Sequence, residues 1–354
     1  RPASSLKTLS PADRVFGWVN GTGNGAHRGQ LRVGPVACTQ TGEQAIEPFG
    51  KSGLPLAILG QPKPQQARFY VGNARGNAQE VGRAKEEVGY ASGKQLRGRK
   101  VYPHHAGLPS AYWATPLDDR TQTPMQGHFQ EYRRPQLCGE EQRDTQNRSI
   151  EGWVRPGITF SFDLHVTNLS DVELGALLWL LSLDRDAFLR LGSGKPLGFG
   201  SVTLAIDWHN TDLRAGRAWA EAYRQMNAAP STDQTAIIPD KPAAERLIAL
   251  FHSEATRVFG QESGRSVATD FEHLPFIAAF LIAARGFSDG LPIHYPRARD
   301  AGQQGSVPPN PTGESFKWFV ENERAGKEGG QRLSLPDLTT DTGLPILESR
   351  GKRR

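Results

Sequence analysis

The chain has 354 residues, which is enough for one large domain or two ordinary ones. Hydrophobic residues make up 37% and charged residues 22%, which excludes a fibrous protein, while 39 Gly and 25 Pro indicate many turns and long loops. The two cysteines, Cys38 and Cys138, lie far apart, so we expect neither a disulfide framework nor a zinc finger, and we predict no metal site and no cofactor.

The net charge of +5 is unevenly distributed along the chain. Residues 1–157 carry 21 Lys and Arg against 13 Asp and Glu, whereas the remainder carries 21 against 24. A basic half is expected to meet phosphates, although a modest basic excess is also typical of an ordinary solvated surface. The longest apolar run, residues 276–284, is too short to cross a bilayer and no signal peptide opens the chain, so we expect a cytoplasmic protein without membrane contacts.

The first elements are short. Ser10 followed by Pro11 predicts a helix start, residues 21–29 break regular structure, and residues 30–33 alternate like a strand. From residue 43 to 155, apolar residues follow neither a helical period nor the alternation of a strand for long. This region reads as a loop-rich insertion with isolated strands such as residues 67–71.

The clearest fold signal follows the insertion. Residues 157–168 alternate as a half-buried strand does, with five apolar side chains on one face: Ile158, Phe160, Phe162, Leu164 and Val166. Residues 171–189 predict a helix capped by Ser170, and a glycine turn then leads into a strand over residues 200–208. This order of strand, helix, turn and strand is half of a ferredoxin-like α+β unit.

Three more helices are predicted, over residues 212–226, 241–258 and 271–285. The tail from Gly286 reads as irregular, and it ends in a basic cluster at residues 350–354 that has at most a supporting electrostatic role.

The glycine turn is the strongest candidate for a binding site, and its candidate residues are Gly192, Ser193, Gly194, Lys195, Gly198 and Gly200. It is not a P-loop, because Pro196 follows Lys195, and it is not a dinucleotide fingerprint, because Leu197 stands where a third glycine is needed. Close backbone approach, free N–H groups and one ammonium group suit a sugar-phosphate backbone. The alternative is a helix C-cap at Gly192 with a tight turn and no ligand.

A second candidate is a basic and aromatic stretch. Its cations are Lys94, Arg97, Arg99 and Lys100, and its rings are Tyr102, His104 and His105. Cations contact phosphates and such rings stack on unpaired bases, although an exposed charged hairpin explains the pattern equally well. A metal pair or a general acid/base at the two histidines is disfavoured, because adjacent side chains diverge and no carboxylate cluster lies nearby.

A third candidate surrounds the first predicted strand, where Arg28 and Arg32 stand close to His27. Backbone binding and a plain surface hairpin are both compatible with this pattern. His165 and His209 lie in or beside predicted strands and are interpreted as structural.

Together these stretches resemble the RAMP superfamily of CRISPR-associated proteins, in particular the large backbone-type subunits of type III effectors. The resemblance lies in ADRVFGWV followed by RGQLRV, in LRGRKVYPHH, in LGSGKPLGFGSV, and in a C-terminal YPR…FKWFVENE…LPDL…GLPIL. Only the glycine-rich turn is specific for the superfamily.

The resemblance implies a ferredoxin-like (RRM-like) core with an antiparallel sheet in residues 1–209, an insertion at about 43–150, and a helical and irregular C-terminal extension over residues 210–354. The first strand and helix of that core are not recognisable, so they are expected upstream or on another chain. The implied function is to hold CRISPR guide RNA for target RNA recognition in antiviral defence. The implied partners are guide and target RNA, other RAMP subunits, or upstream segments of the same effector.

The resemblance leaves RNA cleavage open. Cleaving subunits of the superfamily use an aspartate near the first strand of the core, whereas here Gly34 and Pro35 follow the RGQLRV strand. We therefore assign no catalytic residue and expect cleavage at the level of the whole complex. The alternative is a RAMP endoribonuclease with His27, His104 or His105 at the scissile phosphate. A phosphate-binding metabolic enzyme would need a catalytic set beside Lys195.

Overall fold

The computed structural model describes residues 3–21, 23–60, 66–73, 81–97, 101–143, 145–224, 241–261, 270–309, 314–324, 329–340 and 343–349. The fold is α+β, with small two-stranded sheets that are antiparallel with one exception. The α-helices are Pro11–Phe16, Gly42–Ala45, Asp171–Leu181, Gly216–Arg224, Lys241–Phe259, Pro275–Arg285 and Glu314–Asn322. Across these described ranges, no helix has the length and apolar character needed to cross a membrane.

The strands are two or three residues long. They are Trp18–Val19, Ala26–His27, Leu31–Val33, Ala37–Cys38, Ile46–Pro48, Leu54–Pro55, Val71–Gly72, Gln95–Leu96, Pro124–Met125, His128–Phe129, Gln136–Leu137, Glu140–Glu141, Ser149–Ile150, Gly152–Val154, Phe160–Ser161, Leu164–Val166, Leu189–Arg190, Ser201–Val202, Ala298–Asp300 and Leu347–Ser349.

The chain divides into two compact units. The first unit contains Arg1–Ile46, Val154–Arg185 and Thr203–Ile277, and the second contains Glu47–Trp153, Asp186–Val202 and Ala278–Arg354. The region predicted as an insertion, about 43–150, therefore lies almost wholly in the second unit. The predicted C-terminal extension is divided between the two.

The first unit opens as the sequence predicts. Ser10 caps the helix Pro11–Phe16: its hydroxyl accepts from the Asp13 N–H, and the Asp13 carboxylate accepts from the Ser10 N–H. The strand Leu31–Val33 is also confirmed, and it pairs antiparallel with Leu164–Val166. Local cap chemistry and alternation were sufficient to predict both elements.

The strand predicted over residues 157–168 is two short strands, and only part of its apolar face is half-buried: Ile158, Leu164 and Val166 are, whereas Phe160 and Phe162 are exposed. Phe160 is 45% exposed and Phe162 36%. On the paired strand, Val33 is 56% exposed. Alternation places these side chains on one face, but within the described residues little packs on that face.

The helix predicted over residues 171–189 begins at Asp171, capped by Ser170 as expected, but it ends at Leu181. There the Ser182 hydroxyl donates to the Leu178 carbonyl at 2.7 Å, and the charged residues Asp184, Arg185 and Asp186 follow. The helix packs on Lys241–Phe259, which confirms the prediction for residues 241–258. Their shared core consists of Leu174, Leu178, Ala243 and Ala244.

Other predicted bounds also change. The helix expected over residues 212–226 is seen as Gly216–Arg224, with residues 225 and 226 outside the described part, and the helix expected over 271–285 starts at Pro275. The strand expected over 200–208 is only Ser201–Val202. Residues 67–71 form a 3-10 turn, Ala67–Phe69, before a strand at Val71–Gly72.

The second unit has an aromatic core and an ordered C-terminal part. The core is built from Phe49, Leu54, Leu56, Tyr112, Tyr132 and Leu197, with Trp113, Trp153 and Phe199 packed against it. Contrary to the predicted irregular tail, Glu314–Asn322 packs on a parallel pair, Ala298–Asp300 with Leu347–Ser349, and buries Trp318 completely. The basic cluster at residues 350–354 lies outside the described residues.

Candidate nucleic-acid interface

The glycine turn closes a β-hairpin in the second unit. Leu189–Arg190 pairs antiparallel with Ser201–Val202, and Arg190 stands opposite Ser201. The predicted passage from helix into strand and the alternative C-cap at Gly192 are therefore both wrong, because the helix already ends at Leu181. The turn runs from strand to strand.

All four glycines of the turn have positive φ, at 78°, 72°, 95° and 75° along the chain. A side chain at Gly200 would collide with the Leu191 carbonyl, and one at Gly198 would lie 2.9 Å from Nδ1 of His105. At Gly194 it would lie 2.7 Å from the Phe199 ring. The hairpin itself thus requires these three glycines. Only Gly192 faces open space, which leaves room for a ligand.

Two apolar side chains anchor the turn in the aromatic core. Leu197 is 1% exposed and lies in the 3-10 segment Lys195–Leu197. The Phe199 ring lies 5.7 Å from Trp113 and 5.6 Å from Trp153, measured between ring centroids. A turn held at two points loses little conformational entropy when it binds a ligand.

The tip of the turn presents unused donors. Leu191, Gly192 and Ser193 are exposed. Within the described part of the chain, the backbone N–H groups of Gly192 and Ser193 have no hydrogen-bond partner, and the Lys195 ammonium has no carboxylate within 4 Å. Free N–H groups and an unpaired ammonium are the chemistry that binds anionic oxygens.

Arg190 adds positive charge at the base of the turn, and the sequence reasoning missed it. Its guanidinium donates to the Ser201 hydroxyl and, at 3.3 Å, to the Tyr102 carbonyl. No carboxylate among the described residues forms an ion pair with it, and burial lowers the pKa of Arg190 to about 10. Its position directly before a glycine-rich turn was the available signal.

The two adjacent histidines lie beneath the turn. The His104 ring stacks on Phe188 at 4.2 Å, and its Nδ1 is 3.3 Å from the Ser201 hydroxyl. Burial and the nearby Arg190 lower the pKa of His104 to about 4 and that of His105 to about 3. His105 is only 7% exposed, and its Nδ1 lies 3.0 Å from the Gln130 amide. Both rings are neutral near pH 7, and both support the turn from below.

The described cations of the basic and aromatic stretch are only partly exposed to solvent. Arg97 is half-buried and donates to the Leu335 carbonyl at 2.6 Å, and its burial lowers its pKa. Lys94 and Tyr102 are half-buried. Arg99 and Lys100 lie outside the described residues. Among the residues predicted to contact RNA, Arg97 therefore already binds the C-terminal segment of its own unit.

In the first unit, Arg28 and Arg32 are exposed, and across the described ranges neither forms an ion pair. His27 is half-buried, with Nε2 3.2 Å from the Arg14 carbonyl. Arg32 stands opposite His165 on the paired strand, which is also exposed. The two arginines are exposed cations of the first unit.

In the part of the chain that the structure describes, no group of three or more His, Cys, Asp or Glu side chains converges as a metal site. Both cysteines are free and exposed. In comparisons with known proteins, no family model and no curated protein matches this chain.

Proposed function

We propose that this protein binds RNA through its sugar-phosphate backbone, and that it serves as a guide-RNA-holding subunit of a type III CRISPR effector. The observation that carries the proposal is the anchored glycine hairpin: among the described residues, the N–H groups at its tip have no hydrogen-bond partner and the half-buried Lys195 has no ion-pair partner.

The chemistry of the tip favours phosphate over base recognition. Backbone N–H groups and an ammonium bind anionic oxygens regardless of sequence, whereas reading a base requires side chains that match its edges. Ser193 is the one neutral polar side chain at the tip. Arg190 raises the positive potential without exposing a planar fork for a base, because part of its guanidinium is buried.

The RAMP resemblance is the reason for choosing guide RNA within this class. The stretch LGSGKPLGFGSV is the hairpin that holds the free donors. In the proposed ferredoxin-like core, the first strand and helix come from another segment or chain. The open apolar face around Phe160 and Phe162 is consistent with such a missing cover.

Binding of a fluorescein-labelled repeat RNA, followed by anisotropy over a salt series, tests the proposal. We expect Lys195→Ala to weaken binding about fivefold, which is about 1 kcal/mol, and to reduce the salt slope by about one. Lys195→Arg should retain most of the affinity. Lys51→Ala is the matched control, since it removes an exposed cation of the same unit outside the turn.

Equal affinity of Lys195→Ala and wild type at every salt concentration would refute the role of the turn. The co-purifying nucleic acid tests the guide assignment separately. Short RNAs that share a repeat-derived tag support it, and a folded preparation without them contradicts it.

A second candidate function is RNA cleavage, and one observation favours it. Neutral His104 lies beside Arg190 at the base of the turn, and a base next to a cation is an arrangement that can deprotonate a 2′-hydroxyl and stabilise the phosphate. The test is incubation with repeat RNA and a chelator. Cleavage that disappears in His104→Phe, which keeps the stack on Phe188, would place the reaction in this chain.

A further inference from the structure

A pair of histidines in the second unit is not used by the proposed function. His128 follows a two-residue hairpin turn, Gln126 and Gly127, whose positive φ values of 50° and 86° are those of a tight type I′ connection. His294 lies outside any helix or strand. Nδ1 of His128 and Nε2 of His294 are 3.3 Å apart. Both side chains are half-buried.

The distance between the two nitrogens matches that between two ligands of one tetrahedral ion. With zinc–nitrogen bonds of about 2.0–2.1 Å, tetrahedral geometry places two ligand nitrogens about 3.3–3.4 Å apart. A square-planar or octahedral ion with the same bonds needs about 2.9 Å between adjacent ligands. The spacing therefore favours an ion that prefers four ligands.

His294 is also oriented as a metal ligand is. Its Nδ1 lies 2.7 Å from the Tyr295 carbonyl, so Nδ1 carries the proton and Nε2 presents its lone pair toward His128. Histidine ligands generally donate their second N–H to a carbonyl or carboxylate in this way.

Arg297 is the cation that acts on His294, and it forms an ion pair with Glu131 at 3.3 Å. No third His, Cys or carboxylate joins the two rings within the described residues. Two positions of a tetrahedral ion are thus left for water.

We propose that His128 and His294 bind a divalent transition-metal ion with tetrahedral preference, of the class of Zn²⁺. In the metal-free pair, Nδ1–H of His128 donates to Nε2 of His294. On binding, that proton moves to Nε2 of His128 through solvent, and both facing lone pairs bind the ion, so no net proton is released. The ion joins the Pro124–Phe129 hairpin to the segment around His294 and stabilises the second unit.

Thermal unfolding with and without Zn²⁺ tests the site. With Zn²⁺ at about 100 times its Kd, we expect the wild-type Tm to rise by about 5 °C. His128→Gln and His294→Gln should show no rise. His273→Gln, which removes an exposed imidazole beside Asp270, is the matched control and should behave as wild type.

Co²⁺ titration of the wild-type protein supplies a second readout that needs no variant. Intense visible absorption of a tetrahedral complex supports the site. A wild-type Tm that does not respond to Zn²⁺, an equal rise in His128→Gln, or the weak absorption of octahedral Co²⁺ would each overturn it, leaving a simple hydrogen bond between two imidazoles. RNA binding by Lys195→Ala is measured separately, so failure of this site leaves the proposed function untouched.

Discussion

The hairpin of the second unit and the strand ladder of the first unit use apolar residues in opposite ways. In the hairpin, Leu197 and Phe199 enter an aromatic core and fix a turn whose tip is polar. In the ladder, Phe160, Phe162 and Val33 share one face and remain exposed. An alternating pattern shows which residues face the same way, but burial depends on whether another element covers that face.

The hairpin finds its packing partners within its own unit. The ladder has one exposed apolar face that its own unit does not cover. The hairpin is anchored by side chains within its own span, so its conformation is fixed without further partners. The ladder pairs Leu31–Val33 with Leu164–Val166 and Ala37–Cys38 with Phe160–Ser161, and each pairing is a two-stranded sheet. Such sheets gain independent stability from packing on a further layer.

Truncation of one apolar side chain in each region should give the largest contrast. Leu197→Ala removes a side chain that is 1% exposed, and we expect it to lower the free energy of unfolding by about 3 kcal/mol. Phe160→Ser acts on a side chain that is 45% exposed and should change it by less than about 0.5 kcal/mol. Urea denaturation followed by tryptophan fluorescence measures both. A large loss in Phe160→Ser would mean that the ladder face is buried in solution.

Alanine substitutions at two glycines of the hairpin distinguish the energetic cost of backbone strain from the cost of a steric contact. Gly192 and Gly200 have similar positive φ, so alanine strains both by about 1–2 kcal/mol. Only at Gly200 would the new methyl group meet the Leu191 carbonyl, whereas Gly192 faces open space. We expect Gly200→Ala to destabilise the protein by about 2 kcal/mol more than Gly192→Ala in the same denaturation experiment. Equal losses would show that the carbonyl moves aside.

Elements encoded within a few residues were predictable from sequence. The cap at Ser10, the strand Leu31–Val33 and the helix Lys241–Phe259 each carry their own start signal or period. For the helix after Ser170, the predicted start was correct and the predicted end was wrong. Leucines continue in the sequence beyond Leu181, but the backbone leaves the helical conformation there.

Features that depend on distant parts of the chain were not predictable. The parallel pairing of Ala298–Asp300 with Leu347–Ser349 joins segments too short and too far apart to show a period. The roles of Arg190 and of the two histidines depend on packing that brings residues 102–105 beneath a turn at residue 198. The candidate turn itself was found from its glycines, although the positive φ of all four serves the hairpin, and at three of them close contacts also exclude a side chain.

The smallest predicted effect concerns the buried support of the turn. Burial and Arg190 lower the pKa of His105 to about 3, against 6.5 for the exposed imidazole, so the unfolded chain binds a proton that the folded chain excludes. The stability contributed by the neutral ring is complete above pH 6.5 and is lost progressively as the pH falls toward 3. At pH 5.5 the loss from this group is about 1.4 kcal/mol. His105→Gln should flatten the pH dependence of the free energy of unfolding between pH 7 and 5.5, measured by urea denaturation at each pH. An unaltered slope in His105→Gln would show that the ring is solvated in solution, and the anchored hairpin would then be less firmly supported from below than its glycines and aromatic core indicate.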